Sequence, residues 1–199
     1  MTGDEPPNRD VVTGRPADDD PGRWRALVVV STAMLLSLSA WMTATAVGPE
    51  LQARWSLTSG QVGWLTTTVQ LGFVAGTALA AVLNVADVVP ARWLFSISAA
   101  LAAGINALLV LVPGYAPALA VRLLTGVFLA GVYPPGMKMI STWFRSGRGF
   151  AIGTVVGALT VGKALPYLLK AIGGTGLEPV VLGASGAGCL LYTSDAADD

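Results

Sequence analysis

The chain has 199 residues, 53% hydrophobic and 12% charged, and its 12 basic and 12 acidic side chains cancel to a net charge of zero. Soluble domains carry about a quarter charged residues, and the mean hydropathy of +0.64 points away from them; a neutral chain has no bulk attraction to nucleic acid. With no histidine and a single cysteine, Cys189, the sequence excludes an intrachain disulfide, a histidine-dependent catalytic triad and the commonest metal ligand. It also has no zinc-ligand spacing, phosphate-binding Gly-rich loop or nucleophile elbow, so no enzyme activity and no cofactor is expected.

In chain order, residues 1–22 are rich in Pro, Gly, Asp and Arg, lack apolar periodicity, and read as a disordered cytoplasmic tail. From Ala26 to Val47 there is no charge. At 1.5 Å per residue this stretch reaches about 33 Å, enough for a bilayer core of ~30 Å. It is longer than the ~7–15 apolar residues of a cleavable signal, and the segment before it is acidic rather than basic, so it reads as a retained first span. Gly48-Pro49-Glu50 ends it. Thr58 and Gln61 have capping-box spacing ahead of a second span, Val62 to Val82. A polar connector with Asp87, Pro90 and Arg92 leads to a third span, Trp93 to Val112, whose polar breaks are Ser96, Ser98 and Asn106. That span reads as a lipid-facing support. A fourth runs from Pro117, a favourable first helical position, to Trp143, and a fifth from Gly149 to Leu169. A sixth begins at Leu177 and gives way at Leu191, short of the ~20 residues a crossing needs. Residues 192–199 are polar and read as a non-native tail. The expected fold is an all-α membrane protein: a six-helix transmembrane bundle over residues 23–191 with its sixth helix truncated.

Lys and Arg near span ends set orientation. With the N-terminus inside, the inner connectors hold Arg23, Arg25, Arg92, Arg145 and Arg148, against Arg54 and Lys170 outside. Trp24, Trp93, Trp143 and Phe144 then form an inner aromatic belt. A charge inside a span costs several kcal/mol on insertion scales and normally faces a bundle interior or a wet cavity. Arg122, early in the fourth span, and Lys163, late in the fifth, are such charges, and no carboxylate lies within a complete span. An anionic solute, an acid from another set of helices, or backbone carbonyls are the three ways to balance Arg122. Gln70 and Trp41 are further candidates for a solute path. Lys138, nearer a span end, can snorkel. Small residues that let helices approach are Gly72 and Gly76 in the second span, Gly126 and Gly131 in the fourth, and Gly153, Gly157 and Gly162 in the fifth. Pro134, Pro135 and Pro166 interrupt the backbone ladder and permit bends.

Three stretches resemble the N-terminal six-helix half of major facilitator superfamily transporters, in particular the cyanate-type and nitrate-type permeases. They are Gly60-Gln61-Val62-Gly63-Trp64-Leu65 with Gln70-Leu71-Gly72, Arg122-Leu123-Leu124-Thr125-Gly126 running to Lys138, and Arg148-Gly149-Phe150-Ala151-Ile152-Gly153. The superfamily's cytoplasmic gate loop has the form Gly-x-x-x-Asp-Arg-x-Gly-Arg-Arg; here Asp87 and Arg92 alone match it. The resemblance implies alternating access around a cavity shared with a C-terminal six-helix half. It implies secondary transport of a small solute, with a proton as a candidate coupling ion, in the bacterial cytoplasmic membrane. The embedded cations make an anion the leading expectation. A drug or organic-cation efflux permease and a non-transporting membrane scaffold are the alternatives.

Overall fold

The computed structural model describes residues 22–144, 146–173 and 178–184. The expected N-terminal tail up to residue 21, most of the sixth span and the polar residues 192–199 lie outside them. Among the described residues all regular structure is helical: α1 (Gly22–Ala46), α2 (Gly48–Trp55), α3 (Ser59–Val82), α4 (Val85–Val88), α5 (Ala91–Ala107, continued by a 3-10 turn at Leu108–Val110), α6 (Tyr115–Leu129), α7 (Tyr133–Trp143) and α8 (Arg148–Gly173). A final helical stretch covers 178–184. Five segments are long and apolar enough to cross a bilayer: Gly22–Ala46, Ser59–Val82, Ala91–Val110, Tyr115–Trp143 and Arg148–Ile172. The chain is a multi-pass membrane protein. The side of the bundle where α1 begins is the near side below, and the side where it ends is the far side.

Local chemistry explains the boundaries. Thr58 caps α3: its hydroxyl accepts from the Gln61 backbone N–H, and the Gln61 side chain accepts from the Thr58 N–H at 2.8 Å. Gly48-Pro49-Glu50 does more than end α1. Proline suits the first helical turn, Glu50 and Arg54 complement the dipole at the two ends, and α2 forms until Ser56 turns left-handed at φ 52°. Leu51 anchors this short helix by full burial.

The fourth span departs from the expected single kinked helix. It is two helices, α6 and α7, with turns at Ala130–Val132 between them. The break precedes the proline pair: Pro134 and Pro135 lie in the first turn of α7, where the missing N–H has no helical acceptor to lose. The third span also differs. Ile97, Leu101 and Leu108 of α5 are exposed, but Phe95, Ser98, Ala99, Ala102, Ala103 and Asn106 form a buried face against α6 and α7. It is a half-buried helix whose exposed apolar face fits the expected support role and whose other face belongs to the bundle.

Two close pairs organise the bundle, α1 with α8 and α3 with α6. Small residues make both possible. A Cβ on Gly126 would stand 2.1 Å from the Val69 carbonyl oxygen, and one on Gly72 equally close to that of Leu123, so the α3 and α6 backbones are in contact. Gly162 meets the Leu35 backbone in the same way across α1 and α8. Gly153 and Gly157 are the exception to the expected packing set: among the described residues nothing lies within 4 Å of a Cβ built on either. Pro166 is buried inside α8.

The apolar core has two parts. Toward the near side Leu27, Val30, Met34, Phe95, Leu129, Ile140 and Val155 pack together; toward the far side Val47, Leu51, Leu65, Leu109, Val121, Val180 and Val181 do so. At the near-side rim the Trp24 ring packs edge-on against Phe144 and Phe150, with the Arg23 guanidinium over Trp24 and Phe144. We predict that Gly126→Ala lowers the thermal midpoint of the detergent-purified protein, since overpacking costs about 1–3 kcal/mol. Gly153→Ala should leave it unchanged or raise it, because alanine is the better helix former by about 1 kcal/mol. Fluorescence-detected size exclusion after heating reads both.

Candidate functional site

Between the two parts of the core lies Arg122, the largest fully buried side chain among the described residues. A guanidinium offers five N–H donors and cannot be left without acceptors in a low-dielectric interior. The fold supplies four acceptors from three other helices. Nη1 donates to the Ala40 carbonyl at 2.9 Å and to Asn106 Oδ1 at 3.0 Å, Nε to the Leu65 carbonyl at 3.3 Å, and Nη2 to the Trp41 carbonyl. Of the three ways to balance this charge that the sequence left open, carbonyls and one amide are what surround it. Arg122 was a candidate for the solute path; the structure encloses it in the helix package and presents none of it to an open surface. Asn106, which the sequence offered only as a polar break in an apolar span, is the one side chain among the described residues that receives it.

Trp41 connects this buried network to a more open one. Its backbone carbonyl is held by Arg122, while its ring lies 5.2 Å from that of Phe73 on α3, inclined at 59°. The Lys163 ammonium on α8 stands over the same Trp41 ring, 5.2 Å from its centroid. Lys163, Trp41 and Phe73 are each half-buried, and they form a row across α8, α1 and α3. Lys163 sits roughly midway along α8, a depth at which a lone ammonium facing lipid is strongly disfavoured. The described acids are Glu50, Asp87 and Glu178, and none of them lies in a spanning helix. Among the described residues Lys163 makes no hydrogen bond or ion pair, so the Trp41 π-face is its electrostatic partner.

The remaining candidates fall elsewhere. Gln70 is exposed on α3. Asp87 is exposed on α4, and Arg92, exposed at the start of α5, places its guanidinium 5.8 Å from the Trp93 ring centroid. Lys138 is exposed on α7. One contact was missed in the sequence. On the far side Lys170 Nζ sits 3.0 Å from Glu50 Oε1 and donates to the Ala46 carbonyl at 2.9 Å, joining the end of α8 to the ends of α1 and α2. The signal was available, since opposite charges follow the first and fifth spans on one side, but only the α1–α8 pairing brings them together. Beside them the Thr45 and Thr66 hydroxyls bond across α1 and α3. Among the described residues no cluster of three His, Cys, Asp or Glu side chains is set to hold a metal.

Five apolar spans, helix pairs closed by glycine, and an intramembrane arginine stitched to three neighbouring helices define a multi-pass helical membrane bundle. A comparison with protein families matches residues 29–192 to the Major Facilitator Superfamily, and the chain belongs to it. No curated relative matches the chain. Membership makes it a secondary transporter in the general sense.

The Arg122 network generates a stability prediction. Interhelical hydrogen bonds in bilayers average about 0.6 kcal/mol and reach about 1.7, so four of them, made by a cation, are worth on the order of 2–4 kcal/mol. Arg122→Leu should lower the melting midpoint in detergent more than Asn106→Leu, which leaves three acceptors in place. Equal midpoints for wild type and Arg122→Leu would remove the network as a source of stability.

Proposed function

We propose that this chain is the N-terminal half of a transporter that moves a small anionic solute by alternating access, with Lys163 on the Trp41–Phe73 row as the solute contact. The observation that carries this reading is the ammonium itself. It lies midway along a spanning helix, rests on an aromatic face, and has no carboxylate among the described residues to neutralise it. A cation at that depth belongs beside water, and its field raises the local concentration of anions. Arg122 acts in this reading through Trp41, as a positioning residue that fixes where the ring stands.

Several features support the wider arrangement. The second and fifth spans, on α3 and α8, are the least buried, and they expose Trp64, Leu71, Val74, Leu79, Val156, Val161 and Leu168. Apolar faces flanking a lysine row suit a second six-helix half closing over a shared cavity. Gly153 and Gly157, open along α8, would meet that half. Asp87 and Arg92 on the near-side connector are the proposed gate residues, with a proton as the candidate coupling ion. The Arg-rich near side supports a cytoplasmic N-terminus in a bacterial inner membrane. Proteoliposomes containing the transporter with both halves test the reading by uptake of labelled formate, nitrate and benzoate beside tetraphenylphosphonium. At least one anion should accumulate, and Lys163→Met should reduce its rate by about tenfold or more. Undiminished uptake by Lys163→Met would remove Lys163 from the path. Accumulation of tetraphenylphosphonium alone would replace the anion with an organic cation, and no uptake of any of them would favour a scaffold.

A further inference from the structure

The proposal that Lys163 meets an anion says nothing about the body of that anion. The rings around the lysine do, and the inference drawn from them rests on the anion reading. The row offers three kinds of surface: one ammonium, the indole of Trp41 and the phenyl of Phe73. Trp41 and Phe73 stand at 59° with centroids 5.2 Å apart, an inclined pair rather than a flat stack, and both are only partly covered by the rest of the chain. The hydroxyls nearest along the sequence are already engaged. Thr45 and Thr66 bond each other, and Thr68 and Thr77 donate to the carbonyls of Trp64 and Phe73. These hydroxyls spend most of their protons within the bundle, although they keep acceptor lone pairs, and a cationic solute would be repelled by Lys163.

We propose that the Lys163–Trp41–Phe73 row selects a small monocarboxylate with a planar, aromatic body. The carboxylate takes the N–H donors that Lys163 leaves unused among the described residues, and the ring of the solute packs edge-to-face or offset against Trp41 and Phe73. Aromatic pairs in those geometries are worth about 0.5–1.5 kcal/mol beyond the area they bury. The solute also takes over a job that, among the described residues, Trp41 performs alone in its absence. The ammonium moves from a π-face to a charge-assisted hydrogen bond, which is the stronger interaction. Acetate supplies the charge without the ring, and cyclohexanecarboxylate supplies a ring of similar size without the planar π-system. Preference for benzoate over both is what the row predicts and what charge alone does not.

Scintillation-proximity binding of labelled benzoate to the full-length protein in nanodiscs tests this, with acetate, cyclohexanecarboxylate and benzylammonium as competitors. Benzoate should displace the label about tenfold more effectively than acetate and several-fold more effectively than cyclohexanecarboxylate, and benzylammonium should not compete. Lys163→Arg should retain binding. Lys163→Met should weaken it by about tenfold, and Trp41→Leu and Phe73→Leu should erase the preference for benzoate over acetate while leaving a monodisperse protein. Acetate competing as well as benzoate, with Lys163 still required, would overturn the aromatic selectivity and leave the anion reading standing. Binding of none of the carboxylates would overturn both.

Discussion

A guanidinium enclosed among bilayer-spanning helices must find acceptors within the protein, and for Arg122 they come from the Ala40, Trp41 and Leu65 carbonyls and the Asn106 amide. Each belongs to a helix other than its own. The network therefore fixes the depth of α1, α3 and α5 relative to α6 at one level, where the near-side and far-side parts of the core meet. Glycine contacts let the helices approach, but they are non-directional and would permit sliding. The directional bonds of Arg122 set the register, and the Trp41 ring, whose own carbonyl is one of the acceptors, inherits its place from them.

The two intramembrane cations consequently have different roles, although the sequence gives them similar surroundings. Both interrupt apolar spans, and neither has an acid within its own helix. Arg122 faces the package and is wholly enclosed, as a planar five-donor group matched to fixed carbonyl acceptors can be. Lys163 is a flexible point charge on α8, half-exposed and resting on a ring. The rigid group holds the frame, and in the function proposed above the flexible one meets the solute. On the far side Lys170 ties the end of α8 to the end of α1 and to Glu50 in the first turn of α2.

Much of the architecture was legible from residue chemistry. Spans of bilayer length, the Thr58–Gln61 cap and the packing role of Gly72 and Gly126 follow from apolar runs, side-chain reach and the absence of a Cβ. What was not legible depended on which helices become neighbours. The carbonyls that receive Arg122 are invisible in a sequence, because every residue has one. Asn106 looked like a minor polar break until α5 was set against α6. The open position of Gly153 and Gly157, beside the enclosed one of Gly162 on the same helix, is a matter of which face of α8 meets α1. Proline identity suggested a kink in the fourth span, but the backbone breaks upstream of Pro134, where that residue can start a new helix at no cost in hydrogen bonds.

The central claim is that Arg122 locks α1 to α3, α5 and α6 at the level of Trp41. Hydrogen–deuterium exchange by mass spectrometry on the protein in nanodiscs, wild type against Arg122→Leu, addresses it directly. The account predicts faster exchange centred on residues 38–45 of α1 and 63–68 of α3, with the near-side contacts of α5 and α7 unchanged. Identical exchange of α1 in the two proteins would contradict it.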